Sequence, residues 1–169
     1  LKGNRLWVGA RTALREDLNN VAFLRTQIDK ISDYFATDEV AEIWITFPDP
    51  QLRMSRAKKR LTHPKFLRLY QQILVPGGYI HLKTDSPALY EFTKLVIDLY
   101  EIELLEDRPD LYTDKELPEV LKIKTHYESL DIAGSSRVHY LKFRLPALLP
   151  DKDNLLKEII RENESDRRD

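Results

Sequence analysis

A chain of 169 residues that is 42% hydrophobic and 33% charged can build one compact domain and is too apolar to stay disordered. Its net charge of −1 excludes a polycation, so any nucleic-acid binding must come from local patches. The absence of cysteine excludes a disulfide framework and a thiolate metal site, and no apolar run reaches the roughly 20 residues of a membrane-spanning helix.

A cytoplasmic location is the expectation, with no membrane contact. The chain opens "LKGNRLWVGA", without a methionine and already on the edge of a helical pattern, so further residues are expected ahead of Leu1. Leu6, Trp7, Ala10, Leu14 and Leu18 recur at helical spacing until Asn19-Asn20 breaks the pattern. "VAFL" (21–24) reads as a short buried strand, and Ile28, Ile31, Tyr34 and Phe35 mark a second helix. "AEIWITF" (41–47) is the strongest buried strand, ended by Pro48 and Pro50, which cannot donate to a ladder. Pro64 opens a helix carrying Phe66, Leu67, Tyr70, Ile73 and Leu74, and "VPGG" (75–78) stops it.

"YIHLKT" (79–84) is the next strand. Ser86-Pro87 then predicts an N-cap with proline at the first helical position, and Leu89, Phe92, Val96 and Leu99 follow at helical spacing. "EIELL" (101–105) reads as a strand, 106–119 as a long loop, and "RVHYLKFRL" (137–145) as a half-exposed strand. "NLLKEIIRENESDRRD" is a short amphipathic helix fading into a charged tail.

This alternation predicts an α/β fold with a mostly parallel sheet, helices on both faces and an antiparallel closing strand. Residues 1–150 form the domain, and 151–169 a charged, solvated C-terminal helix and tail. Ligands of such sheets gather at the carboxyl ends of the strands. Those ends carry Arg25-Thr26-Gln27, Pro48-Asp49-Pro50 and Thr84-Asp85.

Asp49, held between prolines, reads as a rigid, partly desolvated carboxylate able to act as base, acceptor or counter-ion. A turn aspartate bonding its own backbone is the plainer alternative. Arg53, Arg56, Lys58, Lys59 and Arg60 follow, a run suited to phosphates and placed beside the cleft; a solvated basic loop is the alternative. Asp85 and Ser86 could simply cap the next helix, and Thr125 to Glu128 has capping-box spacing. His63, His81, His126 and His139 show no metal-ligand spacing, so no metal is expected.

In order and spacing, "FPDP" with a basic run ending in "KKRL", then "GGYIHLKTD", then "THYE" resembles the tRNA (guanine-N7)-methyltransferases, from about Leu1 to Leu145. The resemblance implies a Rossmann-like class I methyltransferase fold, S-adenosylmethionine as methyl donor, tRNA as partner and methylation of a guanosine at N7. It implies Asp49 as the catalytic aspartate, also touching the methyl donor, and Gln27 as the side chain reading the donor's adenine. Arg53, Asp85, Thr125 and Glu128 would hold the substrate, and Arg56, Lys58, Lys59 and Arg60 the tRNA phosphates.

The chain departs from the family at Gln51 and Arg53, where tryptophan and lysine are usual, and at Tyr127, where phenylalanine is usual. The glycine loop that cradles S-adenosylmethionine is absent and expected ahead of Leu1; without it the chain is expected to bind the donor poorly. Two other readings stay open. One is an RNA-binding or partner module that has lost the donor site. The other is an adenine amino-methyltransferase, whose motif places an aromatic where Gln51 stands. Oligomeric state is not read from the sequence.

Overall fold

The computed structural model of the chain describes residues 3–113, 116–125, 128 and 137–165. Helix α1 (Gly3–Arg15) is followed by an extended stretch, a 3-10 helix (Ile28–Asp33), and strand β1 (Val40–Thr46). A second 3-10 helix (Met54–Lys59) leads to α2 (Pro64–Ile73), β2 (Leu74–Thr84), α3 (Pro87–Leu99) and β3 (Glu103–Arg108). A 3-10 turn (Leu111–Thr113), α4 (Glu119–Lys122), β4 (His139–Arg144) and α5 (Asp153–Ser165) complete the order.

The sheet runs β1-β2-β4-β3. β1 pairs parallel with β2, and β4 pairs antiparallel with both β2 and β3. Among the described strands, β1, β2 and β3 therefore point one way and β4 is reversed, which is the mostly parallel sheet with an antiparallel closing strand that the sequence predicts. The even-numbered residues Ile80 and Leu82 of β2 join Leu141 and Phe143 of β4 in one core. Phe66, Leu67 and Tyr70 of α2, Leu89, Phe92 and Val96 of α3, and Leu156 of α5 cover it. The opposite face carries a smaller cluster, in which Leu111, Leu121 and Val138 pack on Tyr140 with Trp44 and Phe47. There Trp44 stacks on His81 at 3.9 Å and 2°, and His81 Nδ1 lies 2.8 Å from the Tyr140 hydroxyl.

The structure differs from several expectations. Residues 21–24 form no strand; they are exposed, with the Phe23 ring against α1 at Gly9. A short apolar run becomes a strand only when a neighbour supplies its ladder, and 21–24 has none among the described residues. "VPGG" ends α2 but also opens β2. Gly77 takes φ +81, and a Cβ on Gly78 would lie 2.8 Å from the Ala41 carbonyl, so the β1–β2 register shifts there. β3 starts at Glu103 and takes in Glu106, Asp107 and Arg108, which the sequence places in a loop.

Helix α5 docks where a solvated tail was expected. Asp153 at its start accepts from Arg68 of α2 at 2.8 and 3.1 Å and from the Tyr100 hydroxyl at 2.6 Å. The Arg68 guanidinium holds the Asp153 carboxyl below its usual range.

His63 caps α2 by accepting from the Lys65 N–H at 3.1 Å. Burial, opposed in part by Asp153, pushes its imidazole down to about 4 from an ordinary 6.5. Between those values the unfolded chain binds the proton that the folded chain refuses, so stability is intact above 6.5 and falls as pH drops towards 4. His63→Asn keeps a capping acceptor and removes the titration. Urea denaturation across this pH window is expected to show the wild type losing up to roughly 3 kcal/mol more than His63→Asn. Parallel pH curves would remove His63 as the cause.

Candidate active site

The site grows from the paired ends of β1 and β2. Thr46 faces Lys83 across the parallel ladder, and the Phe47 N–H donates to the Lys83 carbonyl at 2.8 Å. Beyond that bond the two chains part, β1 into Pro48-Asp49-Pro50 and β2 into Thr84-Asp85-Ser86. The prolines stop β1 from continuing, so its next carboxylate stands at the sheet's carboxyl edge.

Phe47 and Gln51, on either side of this turn, both take φ 46. Left-handed backbone at a non-glycine residue costs about 1–3 kcal/mol and persists only where surrounding contacts fix it. Asp49 Oδ1 accepts from the Gln51 N–H at 3.0 Å, which is the local turn bond that the plainer reading anticipates. The other carboxylate oxygen has no partner among the described residues. The Asp49 side chain is exposed here, and not partly desolvated as expected. It lines an open depression of about 320 Å³ with Pro50, Gln51, Leu52, Arg53 and Arg56. One carboxylate and two guanidinium groups thus share one concavity.

The 3-10 helix Met54–Lys59 turns the basic run around a buried Ala57, leaving Arg53, Arg56, Lys58 and Lys59 exposed, the first two lining the depression. Arg60 does otherwise. It is 3% exposed, and Nε donates to the Pro50 carbonyl at 3.2 Å while Nη2 donates to the Gln51 carbonyl at 3.3 Å. The phosphate contact expected of Arg60 is therefore corrected, since its guanidinium faces inward onto the Asp49 loop.

At the end of β2, Ser86 alone caps α3, accepting from the Leu89 N–H at 3.3 Å, while Thr84 Oγ1 accepts from the Ser86 N–H at 3.1 Å. Asp85 takes no part in the cap, and its half-exposed carboxylate has no partner among the described residues. Thr125 and Glu128 form the anticipated reciprocal cap: the Thr125 N–H donates to Glu128 Oε2 at 2.9 Å and the Glu128 N–H to Thr125 Oγ1 at 3.3 Å. His126 and Tyr127 lie outside the described residues.

The Glu128 carboxylate is 2% exposed and pairs at 2.8 Å with the Lys83 ammonium, itself 4% exposed. It also accepts from the Tyr112 hydroxyl. Direct contact between Glu128 and a substrate is not the geometry found, because its oxygens already accept from Lys83, the Tyr112 hydroxyl and the Thr125 N–H; Thr125, half-exposed, is the member at the rim. Gln27 precedes the first 3-10 helix with its side chain exposed and uncapped, and does not line the Asp49 depression. Among the described residues, no group of histidine, aspartate and glutamate could hold a metal ion.

Sequence reasoning missed Lys83. Its signal was available, because a lysine inside an otherwise apolar strand needs a buried counter-charge. Tyr112, in a stretch read as loop, carried no such signal.

The sequence model of a family described as "Putative methyltransferase" matches residues 8–139. A tRNA (guanine-N(7)-)-methyltransferase of Porphyromonas gingivalis is 47% identical over 86% of this chain and 59% of its own. The enzyme of the same name from Bacteroides thetaiotaomicron is 44% identical over 86% of this chain and 57% of its own. The chain thus spans less than two thirds of the length of these curated relatives. Among solved structures, a methyltransferase homolog protein from Pyrococcus horikoshii superposes with a TM-score of 0.54 at 19% identity, over 86% of this chain and 51% of that one. At that identity the likeness shows a shared fold.

Removing one partner of the Lys83–Glu128 pair strands a buried charge, which typically costs about 3–5 kcal/mol. Lys83→Met is expected to lose that much in urea denaturation, and Lys83→Met with Glu128→Gln to recover part of it. Strictly additive losses in this cycle would show that the two groups do not interact.

Proposed function

The chain belongs to the tRNA (guanine-N7)-methyltransferase family, and from that membership we propose that it transfers a methyl group from S-adenosylmethionine to N7 of a guanosine in tRNA. The observation that carries the reading is the exposed Asp49 carboxylate, with one oxygen unpartnered among the described residues, in a depression bordered by Arg53 and Arg56.

The residues present fit the methyl donor at two points. The open Asp49 oxygen suits a cationic sulfonium, and the exposed Gln27 carboxamide offers the donor and acceptor that an adenine edge needs. When bound, S-adenosylmethionine supplies an electrophilic methyl group.

Guanine N7 carries an in-plane lone pair and no proton, so no base is required at the attacking atom. What the chain's residues must do is position the base and stabilise the charge it acquires. Holding two reactants in line converts a bimolecular encounter into an effectively unimolecular one. Asp49 would stabilise the cationic methylated ring, and Asp85, on the adjacent strand end, would accept hydrogen bonds from the guanine amino and imino groups. Arg53 and Thr125 would border the bound nucleoside, with Glu128 fixing Thr125 through the cap. Arg56, Lys58 and Lys59 would hold the phosphates, compensating the few kcal/mol that extruding a base costs. Arginine at 53 offers a planar fork where lysine would offer a point charge, which favours bidentate contact to phosphate or base.

In the intact gene product, Asp49→Ala is expected to abolish methyl transfer to tRNA while leaving the melting temperature within a few degrees of wild type. Loss of one preorganised electrostatic group commonly costs about 2.7–4 kcal/mol of barrier. Nucleoside mass spectrometry should find 7-methylguanosine in tRNA treated with the wild type; N6-methyladenosine, or full turnover by Asp49→Ala, would end the reading. Replacing Arg56, Lys58 and Lys59 with alanine is expected to weaken tRNA binding and flatten the slope of log affinity against log salt. Each phosphate contact contributes a slope of about 0.7–0.9, the range between single strands and a B-form duplex. An unchanged slope would leave the run as a solvated loop.

A further inference from the structure

We infer that Arg60 is a positioning residue for Asp49, acting through the backbone of the loop and never on tRNA. The inference rests on the role of Asp49 proposed above.

Its guanidinium is 3% exposed and lies beneath the turn that carries Asp49. Nε donates to the Pro50 carbonyl at 3.2 Å and the Gln51 carbonyl at 3.4 Å, and Nη2 donates to the Gln51 carbonyl at 3.3 Å. These carbonyls belong to the two residues directly after Asp49. The same Nη2 approaches Met54 Sδ at 3.7 Å, and the guanidinium carbon sits 4.4 Å from the centroid of the Phe92 ring. Phe92 belongs to the buried face of α3, so the guanidinium bridges a rigid helix and the loop.

The anchor is held on its other side as well. Thr62, two residues on and fully buried, shares a 2.8 Å hydrogen bond with Thr93 of α3, whose hydroxyl donates in turn to the Leu89 carbonyl at 2.7 Å. The chain from Arg60 to Thr62 is thus fixed to α3, and Arg60 reaches out from that fixed point.

The loop needs such an anchor. Phe47 and Gln51 both hold left-handed backbone at φ 46, a conformation that side-chain-bearing residues leave when free. The Asp49–Gln51 turn bond of 3.0 Å fixes the carboxylate relative to its own loop only. The Phe47 N–H bond to the Lys83 carbonyl ties the start of the loop to the sheet, and the Arg60 fork ties the stretch after Asp49. A lysine would not reproduce this grip, because its ammonium lacks the planar fork whose Nε and Nη2 both reach these carbonyls beside the Phe92 ring. The four exposed cations of the run are left to face solvent, and Arg60 differs from them in direction and in task.

The test compares the wild-type gene product with Arg60→Met and Arg60→Lys, using tritiated S-adenosylmethionine, tRNA transcript and amide hydrogen exchange. Positioning predicts that kcat falls about 100-fold, the usual effect of a 1 Å misplacement, with KM for tRNA and the salt slope unchanged. It also predicts that the Gln51 amide loses protection in both variants. A raised KM for tRNA with a shallower salt slope would overturn the inference in favour of a phosphate contact. Unchanged kcat, or full Gln51 protection, would overturn it outright. If Arg60→Met fails to fold, Arg60→Lys, which keeps the charge and stem, carries the same outcomes. A wild type without transfer activity but with Gln51 protection dependent on Arg60 would support the clamp and overturn the methyl-transfer reading alone.

Discussion

A cation taken out of water must find oxygen, and the buried ammonium of Lys83 gathers much of this molecule around that requirement. It meets the Glu128 carboxylate at 2.8 Å and the Ile123 carbonyl at 3.2 Å, while the Tyr112 hydroxyl closes on the same carboxylate. Those partners come from the segment between β3 and β4, remote from Lys83 in sequence, which must pass over the sheet's second face to reach the strand end. The cluster of Leu111, Leu121 and Val138 beneath them is too small to set their position alone. Hydrophobic burial brings the covering segment down on the sheet, and the ion pair fixes where along the strands it lands. Because β2 also pairs in parallel with β1, that landing point lies beside the turn carrying Asp49.

What could be read from the sequence follows the range of the interactions involved. β1, α2, α3 and β4 were legible because their apolar spacing and their caps are local facts: Ser86 and Pro87 announce α3 before any tertiary contact exists. The Thr125–Glu128 cap was legible for the same reason. The stretch 21–24 was misread because an apolar run shows burial potential, whereas a strand is a relation to a neighbour. Asp49 and Asp85 could be placed at strand ends from the alternation alone. Which oxygens remain open could not, since the turn bond to Gln51 and the division of labour between Asp85 and Ser86 depend on backbone geometry. Arg60 was one letter among several like it. Its inward direction comes from the 3-10 turn around Ala57 and from the ring of Phe92, neither visible in a charge count.

The arrangement also suits a reaction in which the attacking atom has no proton to lose. An active site for such a step has little use for a tuned acid and base and much use for fixed distances. The chain spends its unusual backbone, its buried fork and its buried ion pair on geometry, and leaves its carboxylates and outer cations open. A chain with net charge −1 can still offer a strongly basic edge because its cations are crowded into the segment after β1.

The grip of Arg60 on carbonyls has a consequence for how freely this loop can vary. Main-chain oxygens are the same at every residue type, so a turn held by them keeps its path when its letters change. Gln51 stands where the resembling family carries tryptophan, and its carbonyl is held at 3.3 Å all the same. The loop's identity resides in its trace through space. Evolution can rewrite its wording there and leave the carboxylate where it was.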